Sequence, residues 1–226
     1  MPSATAPQKG ERTRQLIVDT ALQLFREHGY EATTMRAIAT QAGVSVGNAY
    51  YYFPSKQHLV QAYYDHSQSV HVAAARSVLD TATSFEERLH GVLMTRIDTM
   101  QSEKAFAVDL FRYAADPTSP LSPFSEESTP SREASMGLYV EAVAGARDLK
   151  IPAELRDALP ELLWLYQMGV VLYWVHDTSR GSKNTYALAE RTVPIVVKLV
   201  NLARYRLLKG LVGDLLELVR DLRPRA

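Results

Sequence analysis

The sequence predicts an all-α protein with a small N-terminal head and a larger helical body. Three observations carry this. Apolar residues recur at helical spacing along most of the 226 residues, no stretch alternates as a strand would, and Ala42-Gly43-Val44 breaks two short helical patterns apart. The first pattern carries Met35, Ile38 and Ala39 behind a threonine pair able to cap it, and Ser45 can cap the second. This is a helix-turn-helix in outline. A short turn containing glycine sets two helices at a steep angle, so that the second can project into a DNA major groove.

Composition bounds the classes that remain. The chain is long enough for one large or two modest cores. It has no cysteine, which removes disulfides and thiolate metal sites and fits a reducing compartment. Residues 1–10 are polar and alanine-proline rich without the apolar core of a signal peptide, and read as a disordered arm. The longest apolar run, Met168 to Val175, falls short of a bilayer span, so the expectation is a cytoplasmic protein with no membrane partner. Lys plus Arg and Asp plus Glu both number 25, so the net charge gives no support to nucleic-acid binding. The distribution does, because Lys9, Arg12, Arg14, Arg36 and Lys56 lie in or beside the helix pair, while Glu126, Glu127, Asp214 and Glu217 lie far from it in sequence.

In chain order, Glu11 to His28 carries Leu16, Ile17, Ala21, Leu24 and Phe25 as a helical stripe that stops at Gly29. That stripe must bury against Ile38, Ala39, Val44, Ala49 and Phe53, which makes residues 11–56 a three-helix head and 57–226 the body. A long helix from Ser55 to about Thr81 connects them. Ser84 and Glu87 form a capping box before a helix carrying Leu89, Val92, Leu93, Ile97 and Met100, and Phe106 to Tyr113 continues the pattern. Asp116 to Ser131 holds four prolines among serines and acids, and reads equally as a boundary or as a long surface connection. Helical spacing resumes over Glu133 to Leu149, and Pro160 suits a first turn or a kink. Leu162 to His176 is apolar nearly all round, and Val193 to Leu208 is similar with a polar edge. Two such helices exceed what one small core covers and call for a partner surface. Leu211 to Leu222 reads as a final helix.

The first turn of the second motif helix reaches base edges and its later residues meet phosphates. Val46, Gly47 and Asn48 are therefore the base-proximal candidates, and the capping Ser45 joins the DNA-binding set. Asn48 can hydrogen-bond a base edge, Val46 can touch a thymine methyl, and Gly47 permits close approach. Tyr51 and Tyr52 put hydroxyls toward backbone oxygens, whereas Tyr50 is divided between core and DNA. Lys56 supplies a charge at the next helix start, and Thr34 and Arg36 add contacts at the start of the first motif helix.

Ile38-Ala39, Ala42-Gly43-Val44-Ser45, Gly47, Tyr50, Phe53 and Ser55-Lys56, preceded by Ala21, Leu22, Phe25 and Gly29, resemble the signature of TetR-type transcriptional regulators over roughly Glu11 to His71. Ala49 stands where a larger aliphatic residue is typical, and Tyr51 and Tyr52 stand where one histidine is frequent. These departures bear on the phosphate contacts and leave the helix pair intact. The resemblance implies a homodimer in which the two late apolar helices pack against their copies as a four-helix interface. It also implies a palindromic double-stranded operator, a ligand-released repressor mechanism and a pocket in the body for a small-molecule effector. The helix from Ser55 to Thr81 is then the natural lever between pocket and head.

Met94, Met100, Phe106, Phe111, Tyr113, Tyr139, Trp164, Tyr166 and Tyr173 either line that pocket or form core, and suit a hydrophobic or aromatic effector. No metal or cofactor is expected, because the six histidines include no HExxH pair and no glycine-rich phosphate loop is present. His176-Asp177 beside Ser179 has the letters of a hydrolytic triad without its geometry. The rival readings are a small helical enzyme or carrier using the aromatic body, a ligand-independent dimerising regulator, and an activator.

Overall fold

In a computed structural model the protein is described over residues 6–205 and at 210, 213, 214 and 217, with side chains from Lys9 onward. The expected final helix over Leu211 to Leu222 lies, but for isolated positions, outside these. Among the described residues every regular element is helical. They form two compact units, one of the residues up to Ser67 with Glu103–Arg132, the other of Gln68–Ser102 with the residues from Glu133 onward. The expected head, residues 11–56, falls inside the first of these units.

The first unit is built on α1 (Ala6–His28), which begins five residues inside the expected arm and stops at Gly29 with φ of +84°. Ile17, Ala21 and Phe25 form its buried stripe. Around it pack α2 (Met35–Gln41), α3 (Val46–Tyr52) and the first turns of α4 (Lys56–Leu79), which bury Ile38, Ala39, Ala49, Phe53, Leu59 and Val60. A fifth helix completes this core. Phe106 and Leu110 of α6 (Lys104–Ala114) are buried in it, with Phe106 stacked on Phe25 at 5.9 Å between centroids. The three-helix head is thus closed by a segment from later in the chain, which local periodicity cannot reveal. Two polar ties secure it, Arg26 to Glu103 at 2.9 Å and the Tyr30 amide to Asp109 at 3.3 Å. Residues 116–128 form successive turns, and Leu121 is buried in the same core, so this connection is anchored at its middle. Lys56 donates to the carbonyls of Tyr30 at 2.6 Å and Glu31 at 3.3 Å, and its ammonium lies 4.4 Å from the Tyr30 ring centre. Burial, followed by the charge of Glu31 and the Tyr113 side chain, pushes the Tyr30 phenol up to about 12.

The second unit contains the rest of α4, α5 (Phe85–Gln101), most of α7 (Thr129–Ala144), α8 (Ala153–His176) and α9 (Lys183–Leu202). The capping box is present, with Ser84 accepting from the Glu87 amide and Glu87 from the Ser84 amide. Pro130 sits in the first turn of α7, where its missing N–H costs nothing, so that helix starts earlier than expected and ends at Ala144. Pro160 and Pro194 lie inside α8 and α9, which begin nine and ten residues before the expected starts at Leu162 and Val193. Leu89, Leu93, Leu138, Tyr139, Leu163, Trp164 and Val193 share one core. Taken whole, α8 is long and apolar enough to match a bilayer, contrary to the reading of its uninterrupted run alone. It buries Leu159, Leu163, Gln167 and Trp174 within the unit.

Arg88 joins three of these helices. Its guanidinium donates to the carbonyls of Leu79 at 2.7 Å, Ala82 at 2.6 Å, Glu141 at 2.8 Å and Ala142 at 3.0 Å. A Cβ at Gly145 would stand 2.2 Å from it.

Arg88→Met is expected to remove the donor that the Leu79, Ala82 and Ala142 carbonyls share, cost about 3 kcal/mol and lower Tm by roughly 10 °C in a circular-dichroism melt. Gly145→Ala should shift Tm in the same direction, because the clamped guanidinium has no room to retreat. Lys56→Met is expected to cost about 1 kcal/mol in the absence of DNA, since it releases the Tyr30 and Glu31 carbonyls. An unchanged melt would restrict Lys56 to phosphate contact.

Candidate nucleic-acid interface

The helix pair is set by caps and one glycine. Thr34 accepts from the Ala37 amide at 3.1 Å and so starts α2, and Ser45 accepts from the Asn48 amide at 3.1 Å and starts α3. Between them Gly43 takes φ of +67°, a left-handed conformation that a side chain would strain. The Val44 amide closes the turn on the Ala39 carbonyl at 3.0 Å.

Helical spacing then sorts the residues of α3. Ala49 and the following Phe53 are buried, and Val46 is half-buried against the same core. Gly47, Asn48, Tyr50 and Tyr51 are exposed, with Tyr51 at 79%. Thr34, Arg36 and Ser45 are exposed as well. A Cβ at Gly47 would meet nothing within 4 Å, so no protein packing calls for a glycine there and the backbone is open to close approach.

The three tyrosines separate. Tyr50 is half exposed, whereas Tyr52 is partly buried against the head core and edge-on to Tyr51 at 5.2 Å. The cause is register: Tyr52 follows Ala49 by three residues and turns toward the core, while Tyr50 and Tyr51 fall on the outer arc. The Tyr52 hydroxyl lies 3.6 Å from where a Cβ at Gly10 would be, and the Arg14 guanidinium lies 5.0 Å from the Phe53 ring centre. Because α1 runs further than expected, Lys9 and Arg12 are exposed on turns next to the end of α3. The continuous helical register from Ala6 was the available signal for this.

The candidate effector residues separate. Phe106 and Tyr113 pack in the head cluster, Tyr113 at 5.0 Å from Tyr30, and Phe111 shares their helix. Met94, Met100, Tyr139, Trp164 and Tyr166 belong to the second unit, and Tyr173 is 42% exposed. Tyr139 is fully buried and donates to Gln167 at 2.9 Å, Gln167 donates to Ser135 at 3.1 Å, and Tyr166 is hydrogen-bonded to Thr192. Sequence reasoning missed Gln68, His71 and Arg96, which sit together in this unit. Their signal was Gln68 and His71 at three-residue spacing on a helix face that Ala75 and Leu79 continue.

The triad letters are resolved as well. Asp177 accepts from the Ser179 amide at 2.8 Å, the Thr185 amide at 2.9 Å and the Thr185 hydroxyl at 2.7 Å, and His176 is bonded to the Leu172 carbonyl. Asp177 therefore ties α9 to the end of α8. Among the described residues no three carboxylate or histidine side chains converge as a metal site.

Comparison with known proteins agrees with this geometry. Residues 17–63 match the family profile described as bacterial regulatory proteins, tetR family, and residues 88–218 match a tetracyclin repressor-like C-terminal domain. The HTH-type transcriptional repressor KstR2 of Mycolicibacterium smegmatis is 29% identical over 127 residues, which cover 56% of this chain and 62% of that protein. KstR of Rhodococcus jostii is 53% identical over 47 residues, 21% of this chain and 22% of that one. The chain thus spans less than two thirds of the length of these curated relatives. Among solved structures, Thermus thermophilus FadR, a TetR family transcriptional repressor in complex with lauroyl-CoA, superposes with a TM-score of 0.59 at 23% identity, covering 80% of this chain and 92% of its own length. With one profile spanning the helix pair and another more than half of the chain, the protein belongs to the tetR family of bacterial regulatory proteins.

Proposed function

We propose that the protein is a DNA-binding transcriptional repressor that acts as a homodimer on a palindromic operator and is released by a small, largely apolar effector. The observation that carries this is the outer face of α3. A seven-residue helix, locked to the core by Ala49, offers Gly47, Asn48, Tyr50 and Tyr51 to solvent. Asn48 then reads a base edge, with Val46 against an apolar group and Thr34, Arg36 and Ser45 at flanking positions. Tyr50 and Tyr51 meet phosphates, while Tyr52 and Lys56 hold the head together. Relatives named as repressors support the sign of regulation.

The dimer is supported by two exposed apolar seams in the second unit. Leu165, Leu172 and Tyr173 recur at helical spacing on α8, and Ile195, Leu199 and Leu202 on α9, each between 42% and 61% exposed. Side chains of this size on two late helices are the signature of a surface that a second copy covers. Two-fold pairing sets the reading helices about 34–36 Å apart, one turn of the duplex. An effector that favours another spacing lowers operator affinity by its differential binding energy alone. The lauroyl-CoA complex of a fold relative makes acyl-CoA compounds reasonable members of a first effector panel.

In an operator titration, Asn48→Ala is expected to weaken specific binding about tenfold or more while leaving the salt dependence unchanged. Equal affinity would remove Asn48 from the reading face. Leu199→Glu should give a monomer by sedimentation at micromolar concentration and reduce operator affinity by roughly a hundredfold, since the second half-site then binds independently. Wild-type protein that is itself monomeric while bound tightly to a single half-site would overturn the two-groove arrangement.

A further inference from the structure

Polar side chains in the second unit's core are mostly matched. Arg88 meets four carbonyls, and Tyr139, Gln167 and Ser135 form a continuous chain. Two side chains one turn apart on α4 differ. Gln68 is 6% exposed and His71 is fully buried, yet the Gln68 Nε2 and His71 Nδ1 atoms have no hydrogen-bond partner. A buried donor or acceptor left this way bears its full desolvation penalty, so such atoms usually receive a water or a ligand atom.

The partners they do have fix the chemistry on offer. Arginine only donates, so the 3.5 Å contact from Arg96 must reach the Gln68 oxygen and leaves the Gln68 NH2 group as an unused donor. A carbonyl only accepts, so the 3.0 Å contact of His71 Nε2 with the Val92 carbonyl places the ring proton on Nε2. Nδ1 is then a lone-pair acceptor. His71 stays neutral under ordinary conditions, because burial and then the charge of Arg96 push it down to about 4 against the opposing pull of Val92. The surroundings are apolar, with Ala75, Val92, Leu93 and Tyr139 in the same core. The helices also approach closely, since a Cβ at Gly91 would stand 2.5 Å from Val78.

One unused donor and one unused acceptor on a single helix face complement a group that both accepts and donates. The geometry points to Gln68 and His71 as the polar end of the effector site, receiving the hydroxyl of an otherwise apolar molecule whose oxygen accepts from Gln68 and whose proton goes to His71 Nδ1. The inference rests on the ligand-released reading above and names the class of its ligand. A carboxylate can accept from Gln68 and is drawn by the Arg96 charge, but it has no proton to give to the His71 lone pair. An ether accepts only and leaves His71 unmatched.

The test uses full-length protein and two pairs of probes, 1-decanol with decyl methyl ether and 4-phenylphenol with 4-methoxybiphenyl. Binding is followed by calorimetry without DNA, and operator affinity is measured separately. In at least one pair the hydroxyl compound is expected to bind about tenfold more tightly than its ether, and to weaken operator binding. Gln68→Met, which removes the donor at similar volume, should abolish that preference without lowering Tm. Equal or absent binding within both pairs would overturn the assignment, as would a Gln68→Met protein that keeps the preference. A lowered Tm for Gln68→Met with no preference in the wild type would mean that the cluster holds a water only, again overturning it. Failure of operator binding without any probe bears on the repressor reading instead, so the two outcomes are separable.

Discussion

The second unit depends on one buried cation that is held by four backbone carbonyls. The last carbonyls of any α-helix lack intrahelical donors and carry partial negative charge. Arg88 answers both needs, with its fork reaching Leu79 at the end of α4, Ala82 just beyond it, and Glu141 and Ala142 near the end of α7. One residue on α5 thereby fixes where two neighbouring helices stop, and the glycine at 145 leaves it the space. Five guanidinium N–H groups in a rigid plane suit this clamp, whereas the ammonium of a lysine could not span four acceptors.

The head follows a different logic. Seven residues are too few for α2 or α3 to persist alone, so both exist because the surrounding core holds them. Ile38, Ala39, Ala49 and Phe53 supply that grip, and Phe106 of α6 closes it by stacking on Phe25. Rigidity on the inner arc is what leaves the outer arc of α3 free for recognition. The same grip draws Tyr52 and Lys56 inward, where they serve the frame that presents Asn48 and Tyr51.

In the second unit, polar and apolar side chains divide the work of specificity. In the proposed dimer the apolar seams of α8 and α9 pack on a second copy, because leucine and isoleucine at helical spacing interdigitate without directional demands. Gln68 and His71 act the other way, since each has one partner already and can accept only a group of defined hydrogen-bonding character. On these two proposals, dimerisation and ligand choice reside in one unit without competing for the same residues.

Local patterning alone determined much of this protein. The all-helical class, the capping box at Ser84 and Glu87, the cap at Ser45, the glycine turn at 43 and the outward placement of Asn48 all depend on residues within a few positions of each other. Their reasons are short-range: dihedral preference, cap geometry and the 3.6-residue period. Tertiary structure decided the rest. It put α6 into the head, split the aromatic candidates between two units, turned Tyr52 inward and Tyr50 outward, gave Asp177 to Thr185, and brought Gln68 and His71 against α5. Each of those outcomes is set by which helix covers which face, and a single sequence carries no record of contacts between segments that lie far apart along it.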